Sequence, residues 1–436
     1  MWRTPDRALP RRAHRARYTH PVMSDLTTHT LDCGCSLIIE RIAGVRSASI
    51  TWLVPAGYAM DPEGKLGMSA MFAELLLRGA GSLDSRAQVE AFDAIGASRA
   101  TEVGALTFRL GSTMLGDRFA PAASLLAEMA LRPRMDYDAI DPSRDLALQA
   151  IAALRDEPQE RAGLMLRATH LPSPLSRSGL GTREGLEALE REDLVGGWFA
   201  RARPVRSIIS VAGAVDHAHV LETFSRLLAT WTGEYPEPVI GKAPAGGYHH
   251  ENEQTSQVQV LLAHEAPAEG HADSVLERFV VAVLSGGMSG RLFSEVREKR
   301  GLCYSVSASY RGDRDYGVVS AYVGTTPERA QESLDVLHAE LLRIMTGPGA
   351  VTPDEFDRAK VGLKSSVVFG GESTAARAAA LASDMRRLGR PRSLREVSDA
   401  IDRVTLDQVN DYLARRSLGR TTIVTLGPAP LRPPAA

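Results

Sequence analysis

The order of apolar and polar residues predicts strands and helices along most of the chain. Residues 47–54 alternate in polarity and are rich in β-branched side chains, and Leu106, Phe108 and Leu110 alternate with polar neighbours, so both segments are predicted strands. The apolar run between them, residues 68–77, predicts a buried helix. The same reasoning predicts strands at 258–262 and 318–323 and helices at 328–344 and 354–367.

A long internal repeat organises these elements. Asp193 and Gly213 lie opposite Asp407 and Gly427 at a constant offset of 214 residues, with further matches between them. In each copy an acidic residue begins a segment with helical spacing of apolar positions, a basic link follows, and a β-branched run ends at glycine. A helix followed by a strand is therefore predicted twice, which indicates two copies of one α+β domain.

The boundary between the copies is marked by turn-forming residues. Pro236, Pro238 and Pro244 precede the paired glycines Gly246 and Gly247, a composition typical of a linker. The arginine-rich start and the proline-rich end of the chain lack an apolar periodicity. The predicted organisation is a disordered extension at 1–24, a first domain at 25–235, a linker at 236–247, a second domain at 248–428 and a disordered tail at 429–436.

Composition removes several classes of partner. The 51 basic and 53 acidic residues give a formal net charge of −2, so no global attraction to nucleic acid or to an anionic membrane is expected. The three cysteines are too few for a disulfide framework and are typical of reduced thiols. No apolar run approaches the ~18 residues of a membrane span, and no secretory signal is recognisable. We expect a cytoplasmic protein without nucleic-acid or membrane partners.

Residues 286–306 carry the most specific motif. They read GGMSGRLF and then, after one serine, EVREKRGLCYSV. This segment resembles the second-domain motif of the pitrilysin-type peptidases (inverzincins), a family that includes insulin-degrading enzymes and the mitochondrial processing peptidases, and the resemblance extends over residues 30–427. It implies an α+β fold with two homologous domains, each an antiparallel-type β-sheet packed with helices, arranged as a half-clam.

The resemblance also implies two functional side chains. In that family an arginine, and a tyrosine seven residues later, reach from the second domain into a zinc site, and the matching residues are Arg297 and Tyr304. A phenol can donate to the oxyanion formed when a peptide carbonyl is attacked, and a guanidinium can hold substrate carbonyls. Without the surrounding motif, the same residues would be typical of a solvated helix end.

The family's zinc-binding helix is only partly matched. Residues 61–67 and 75–79 resemble the segments that flank the H-x-x-E-H motif, in which two histidines four residues apart hold zinc and the glutamate acts as base. Ala70, Ala73 and Glu74 occupy the positions of the first histidine, the glutamate and the second histidine. We therefore expect no metal in this chain; in the region of the family's third ligand, 141–150, the acids are Asp141 and Asp145.

These observations lead to two hypotheses. The first is a non-catalytic subunit of a heterodimeric zinc metallopeptidase, whose homologous partner carries zinc and which binds unfolded peptide. Such a chain is not a peptidase on its own, and Arg297 and Tyr304 act in trans on the partner's site. The alternative is a peptidase-derived structural or peptide-binding scaffold without a proteolytic role.

Overall fold

The structure, a computed structural model, describes residues 25–434, so the extension predicted at 1–24 lies outside the described residues. The strands are β1 (Asp25–Thr30), β2 (Ser36–Arg41), β3 (Ser47–Val54), β4 (Gly79–Ala80), β5 (Leu83–Asp84), β6 (Ala100–Val103), β7 (Phe108–Leu115), β8 (Ile208–Gly213), β9 (Gly247–Asn252), β10 (Val258–Ala266), β11 (Cys303–Gly312), β12 (Gly317–Thr325) and β13 (Thr421–Gly427). The helices are α1 (Met68–Leu75), α2 (Ser85–Ala94), α3 (Phe119–Leu131), α4 (Tyr137–Ala153), α5 (Pro158–His170), α6 (Arg183–Glu187), α7 (Arg191–Arg201), α8 (His217–Leu227), α9 (Ser274–Ser285), α10 (Ala330–Arg343), α11 (Pro353–Glu372), α12 (Thr374–Leu388), α13 (Leu394–Arg403) and α14 (Leu406–Arg415). A π-helical turn, called the π turn below, spans Phe293–Glu298.

Two sheets of the same design form the framework. The first has the strand order β1-β2-β8-β3-β7-β6, and the second has the order β9-β13-β10-β12-β11. In each sheet one neighbouring pair is parallel, β2 with β8 and β9 with β13, and the other pairs are antiparallel. The predicted α+β class with two similar, mainly antiparallel sheets is confirmed.

The repeated unit is a helix followed by a strand in both copies. Helix α7 leads into β8, and α14 leads into β13. Both helices begin at a capping box, formed by Glu190 with Asp193 in the first copy and by Thr405 with Gln408 in the second. Each unit ends at a glycine; Gly213 has a φ of +132°, and a Cβ there would lie 2.3 Å from a backbone oxygen of β3.

One predicted strand starts later than its pattern indicated. The alternation from Leu106 to Leu110 predicted a strand that includes all five residues, but β7 begins at Phe108. The preceding residues form the turn from β6, closed by a hydrogen bond from the Gly104 amide to the Thr107 carbonyl of 2.9 Å. Polarity alternates through this turn as well, so the pattern alone does not locate the start of the strand.

Each sheet packs its helices around a separate apolar core. In the first core Trp198 makes edge contacts with Phe72 and Phe108, at ring-centroid distances of 5.2 and 5.4 Å. In the second, Phe279 of α9 stacks on Phe356 of α11 at 5.1 Å. Offset or edge contacts of this kind add to the free energy gained by burying the rings.

Two helices are exchanged between the halves. Helix α5 belongs to the first half but packs its Ala162 and Leu166 against β10 and β13 of the second sheet. Helix α12 belongs to the second half but packs Ala378 and Leu381 against the first sheet. Arg377 of α12 forms a buried ion pair with Glu40 of β2. The second face of each sheet is therefore partly covered by a helix of the other half.

The end of the chain makes specific contacts. Residues 428–434 hold neither helix nor strand, but the amide of Leu431 donates to the Tyr248 hydroxyl at 2.6 Å, and the amide of Arg432 donates to Gln331 at 2.8 Å.

Within residues 25–434, no helix has both the length and the apolar character that crossing a membrane requires.

Candidate functional site

Helix α1 occupies the place where the resemblance implies a zinc-binding helix. Ala70 and Ala73 are half-buried, and Glu74 lies 3.9 Å from Arg78 in an ion pair. The carbonyl of Ala73 accepts a hydrogen bond from the Thr101 hydroxyl at 2.8 Å. Methyl groups offer no lone pair, and one carboxylate does not supply the three or four protein ligands of a zinc site. The residues present on α1 do not fit zinc.

The region of the family's third ligand does not change this result. Asp141 lies in the first turns of α4, is largely exposed and forms an ion pair with Arg144. Across the part of the chain that the structure describes, no group of three or more His, Cys, Asp or Glu side chains is placed to hold a metal ion.

The segment that leads into α1 has a structural role. The carboxylate of Asp61 accepts hydrogen bonds from the Gly67 amide at 3.1 Å and from the Ser69 amide and hydroxyl at 3.2 and 2.7 Å. Arg201 of α7 donates to the same carboxylate at 2.8 Å, and both partners of this ion pair are buried. Asp61 therefore caps α1 and ties it to α7.

In the second half, a buried arginine anchors the start of the π turn. Arg291 donates two hydrogen bonds of 2.7 Å to the carboxylate of Glu355 and one of 2.6 Å to the Gly349 carbonyl. Burial raises the pKa of Glu355, but the hydrogen bonds from Arg291 and the Thr352 amide outweigh this effect and lower the pKa to about 2. This bidentate contact fixes the motif segment against α11.

The structure brings Arg297 and Tyr304 together. The guanidinium carbon of Arg297 lies 4.8 Å from the ring centroid of Phe293 and 5.1 Å from that of Tyr304. Cys303 and Ser305 pair with successive residues of β12, so Tyr304 is the extra residue of a β-bulge. The bulge turns the phenol outward, where 84% of the residue is exposed.

The charges around this pair leave the arginine available. Lys299 and Arg300 both form ion pairs with Glu295, whereas the guanidinium of Arg297 lies over two aromatic rings and forms no ion pair with residues 25–434. Burial raises the pKa of the Cys303 thiol, although the charge of Arg297 acts in the opposite direction. The arrangement presents a phenol donor and an unpaired guanidinium on one surface, which is suited to holding carbonyl or oxyanion groups.

The sequence motif indicated Arg297 and Tyr304 but not the residues that contact them. Phe293 precedes Arg297 by four residues, so helical spacing could have identified the ring beneath the guanidinium. The roles of Arg291 and Asp61 depend on distant partners, Glu355 and Arg201, which no local pattern indicates. The degenerate metal positions on α1 and the Arg297–Tyr304 pair lie in different halves: α1 packs with α4 and α7, and the π turn packs with β11 and α10.

Comparisons with known proteins support the fold. Residues 189–363 match the family model described as Peptidase M16 inactive domain. An uncharacterized zinc protease of Mycobacterium leprae is 29% identical over 410 residues, which is 92% of this chain and 91% of that protein. The crystal structure of a peptidase M16 inactive domain from Pseudomonas fluorescens has a TM-score of 0.84 at 19% identity, over 94% of this chain and 100% of the other. A chain of complex III from Candida albicans has a TM-score of 0.78 at 16% identity, covering 92% and 95%.

Fold and site together define a peptidase-like protein of two similar α+β halves, without ligands for zinc on the helix that corresponds to the metal site. Residues 189–363 match the model of the peptidase M16 inactive domain, and the chain as a whole is similar in sequence to an uncharacterized zinc protease. The resemblance to the pitrilysin-type peptidases predicted from the sequence is confirmed.

Proposed function

We propose that this chain is the non-catalytic subunit of a heterodimeric zinc metallopeptidase. Its partner is a homologous subunit that carries the H-x-x-E-H motif, and the two chains enclose a chamber for unfolded peptide. The main support is that one chain lacks the zinc ligands but has the arginine and the tyrosine of the motif. The positions of the family's metal ligands hold Ala70, Ala73 and Glu74, whereas Arg297 lies over the exposed ring of Tyr304 and neither has an acidic partner among residues 25–434.

The two side chains have separate roles in this proposal. The Tyr304 hydroxyl donates a hydrogen bond to the oxyanion that forms at the partner's zinc site, so it acts mainly in the transition state. The Arg297 guanidinium holds peptide carbonyls already in the bound substrate. Loss of the tyrosine hydroxyl is therefore expected to lower kcat, and loss of the arginine fork is expected to raise KM.

Reconstitution of the two-chain enzyme tests these roles. Tyr304→Phe should lower kcat by roughly 10²–10³, the usual effect of removing one oxyanion donor. Arg297→Lys keeps the charge but loses the planar fork, and it should mainly raise KM. Tyr137→Phe is the matched control because Tyr137 is also exposed and donates to Glu192, away from the π turn. Wild-type turnover by Tyr304→Phe would refute the proposed role.

The structural scaffold is the second candidate, and the similarity to a chain of Candida albicans complex III favours it. The two functions predict different partners for the tagged chain purified from its native host. A stoichiometric partner with H-x-x-E-H supports the peptidase subunit. A stoichiometric assembly without that motif supports the scaffold.

A further inference from the structure

A cavity of 740 Å³ lies between the two sheets and is bordered by the exchanged helices α5 and α12. We call it the seam cavity. The first sheet lines it with Thr51 of β3 and Arg109 of β7, and the second lines it with Ala263 of β10 and Ser307 of β11. Its volume is within the range of about 300–1,000 Å³ that is usual for small-molecule sites. Arg297 and Tyr304 do not line this cavity, so it is separate from the candidate site that they form.

The lining of the seam cavity is strongly basic. Two carboxylates line it, and each is already in an ion pair: Glu102 with Arg109, and Asp313 with Arg386. The cavity is lined by five arginines and two carboxylates, so three positive charges have no negative counterpart in its lining. Its arginines are Arg109, Arg167, Arg311, Arg386 and Arg387.

Three of these arginines have no acidic partner within residues 25–434. Arg167 donates only to the Tyr58 hydroxyl, at 2.6 Å, and Arg311 at the end of β11 makes no ion pair. The Nε of Arg387 is buried without any hydrogen-bond partner. Burial lowers the pKa of Arg387, and the charges of Arg386 and Arg311 lower it further, although the charges of Asp313 and Glu269 act in the opposite direction. Arg311 is exposed, whereas Arg167 and Arg387 are partly buried, and an unpaired, partly desolvated cation destabilises a fold unless an anion lies beside it.

The neutral groups in the cavity suit the same ligand. The hydroxyls of Ser307, Ser309, Ser320 and Ser383 line it and can donate hydrogen bonds. We propose that the seam cavity binds a small polyanion that carries carboxylate or phosphate groups. Guanidinium groups bind both kinds of oxyanion through paired, charge-assisted hydrogen bonds, so this chemistry is shared by the two sources.

Calorimetric titration of the purified full chain with inorganic pyrophosphate, and separately with citrate, tests the site at low ionic strength. Saturable binding of either probe supports the proposal and identifies the preferred group. Arg387→Gln and Arg311→Gln should each weaken that binding at least about tenfold, since each removes a charge-assisted contact. Arg86→Gln is the matched control because Arg86 lies exposed on α2 and pairs with Glu90, outside the cavity.

Thermal unfolding separates a binding role from a structural one. Without added anion, Arg387→Gln should unfold at the wild-type temperature or above it, because the unpaired charge is removed. Pyrophosphate or citrate should then raise the unfolding temperature of the wild type but not of the variant. The proposal is overturned by absence of saturable binding, by an equal loss in Arg86→Gln, by an unfolding temperature of Arg387→Gln below the wild type, or by binding of an acidic peptide but of neither small anion.

Discussion

The buried ion pair that caps α1 gives the sharpest stability prediction. In Asp61→Asn the charge that faces Arg201 disappears, and the amide cannot accept every hydrogen bond that the carboxylate receives from Ser69 and the neighbouring backbone. Removal of one partner from a buried pair leaves the other charge uncompensated, which costs about 3–5 kcal/mol. The free energy of unfolding of the first half should fall by that amount.

Urea denaturation followed by tryptophan fluorescence measures this loss in the right place. Trp52, Trp198 and Trp231 all lie in the core of the first sheet, so their emission reports its unfolding. Glu90→Gln breaks the exposed pair with Arg86 and should change stability by less than about 1 kcal/mol.

A double-mutant cycle completes the test. Arg201→Met alone should destabilise about as much as Asp61→Asn, and the double variant should recover part of the loss because no buried charge remains unpaired. A loss below about 1 kcal/mol in Asp61→Asn, or strictly additive effects in the double variant, would refute the reasoning.

Two further predictions concern buried charges. Burial lowers the pKa of His170 and of His264 to about 4, from about 6.5 in the unfolded chain. Protons therefore bind the unfolded state first, and stability should decrease as the pH falls from 6.5 towards 4, by up to about 1.4 kcal/mol per pH unit for each histidine. Denaturation at several pH values should show a smaller decrease for His170→Asn than for wild type; parallel curves would contradict this. Arg377→Met leaves Glu40 buried and unpaired and should cost about 3–5 kcal/mol in urea denaturation. Arg390→Met, at an exposed pair, should change little, and an equal loss in both variants would argue against the role of burial.

The sequence predicted those parts of the fold that depend on local periodicity. Residues 47–54 were a predicted strand and are β3, and the helices predicted at 328–344 and 354–367 are α10 and α11, of which α11 continues to Glu372. The repeat also indicated two similar sheets, because the same order of elements buries the same apolar faces twice.

Contacts between distant segments could not be predicted in this way. Periodicity can identify an apolar face on a helix, but it does not show which sheet that face covers, as the packing of α5 and α12 illustrates. The basic cavity depends on the same exchange, since Arg167 and Arg387 reach it from these two helices. At the candidate site, the motif indicated Arg297 and Tyr304, but the bulge that exposes the phenol follows from strand register, which the motif does not specify.

The exchange of α5 and α12 makes the chain equivalent to a domain-swapped dimer whose two protomers are joined in one polypeptide. A single repeat unit on its own would leave the second face of its sheet without the helix that covers it, and its own exchanged helix would have no sheet to pack on. Covalent joining keeps the two units at a high effective concentration, so the exchange is independent of protein concentration. A cut within residues 232–246 would turn this intramolecular fit into a bimolecular equilibrium, in which the complementary surfaces of two fragments have to find each other.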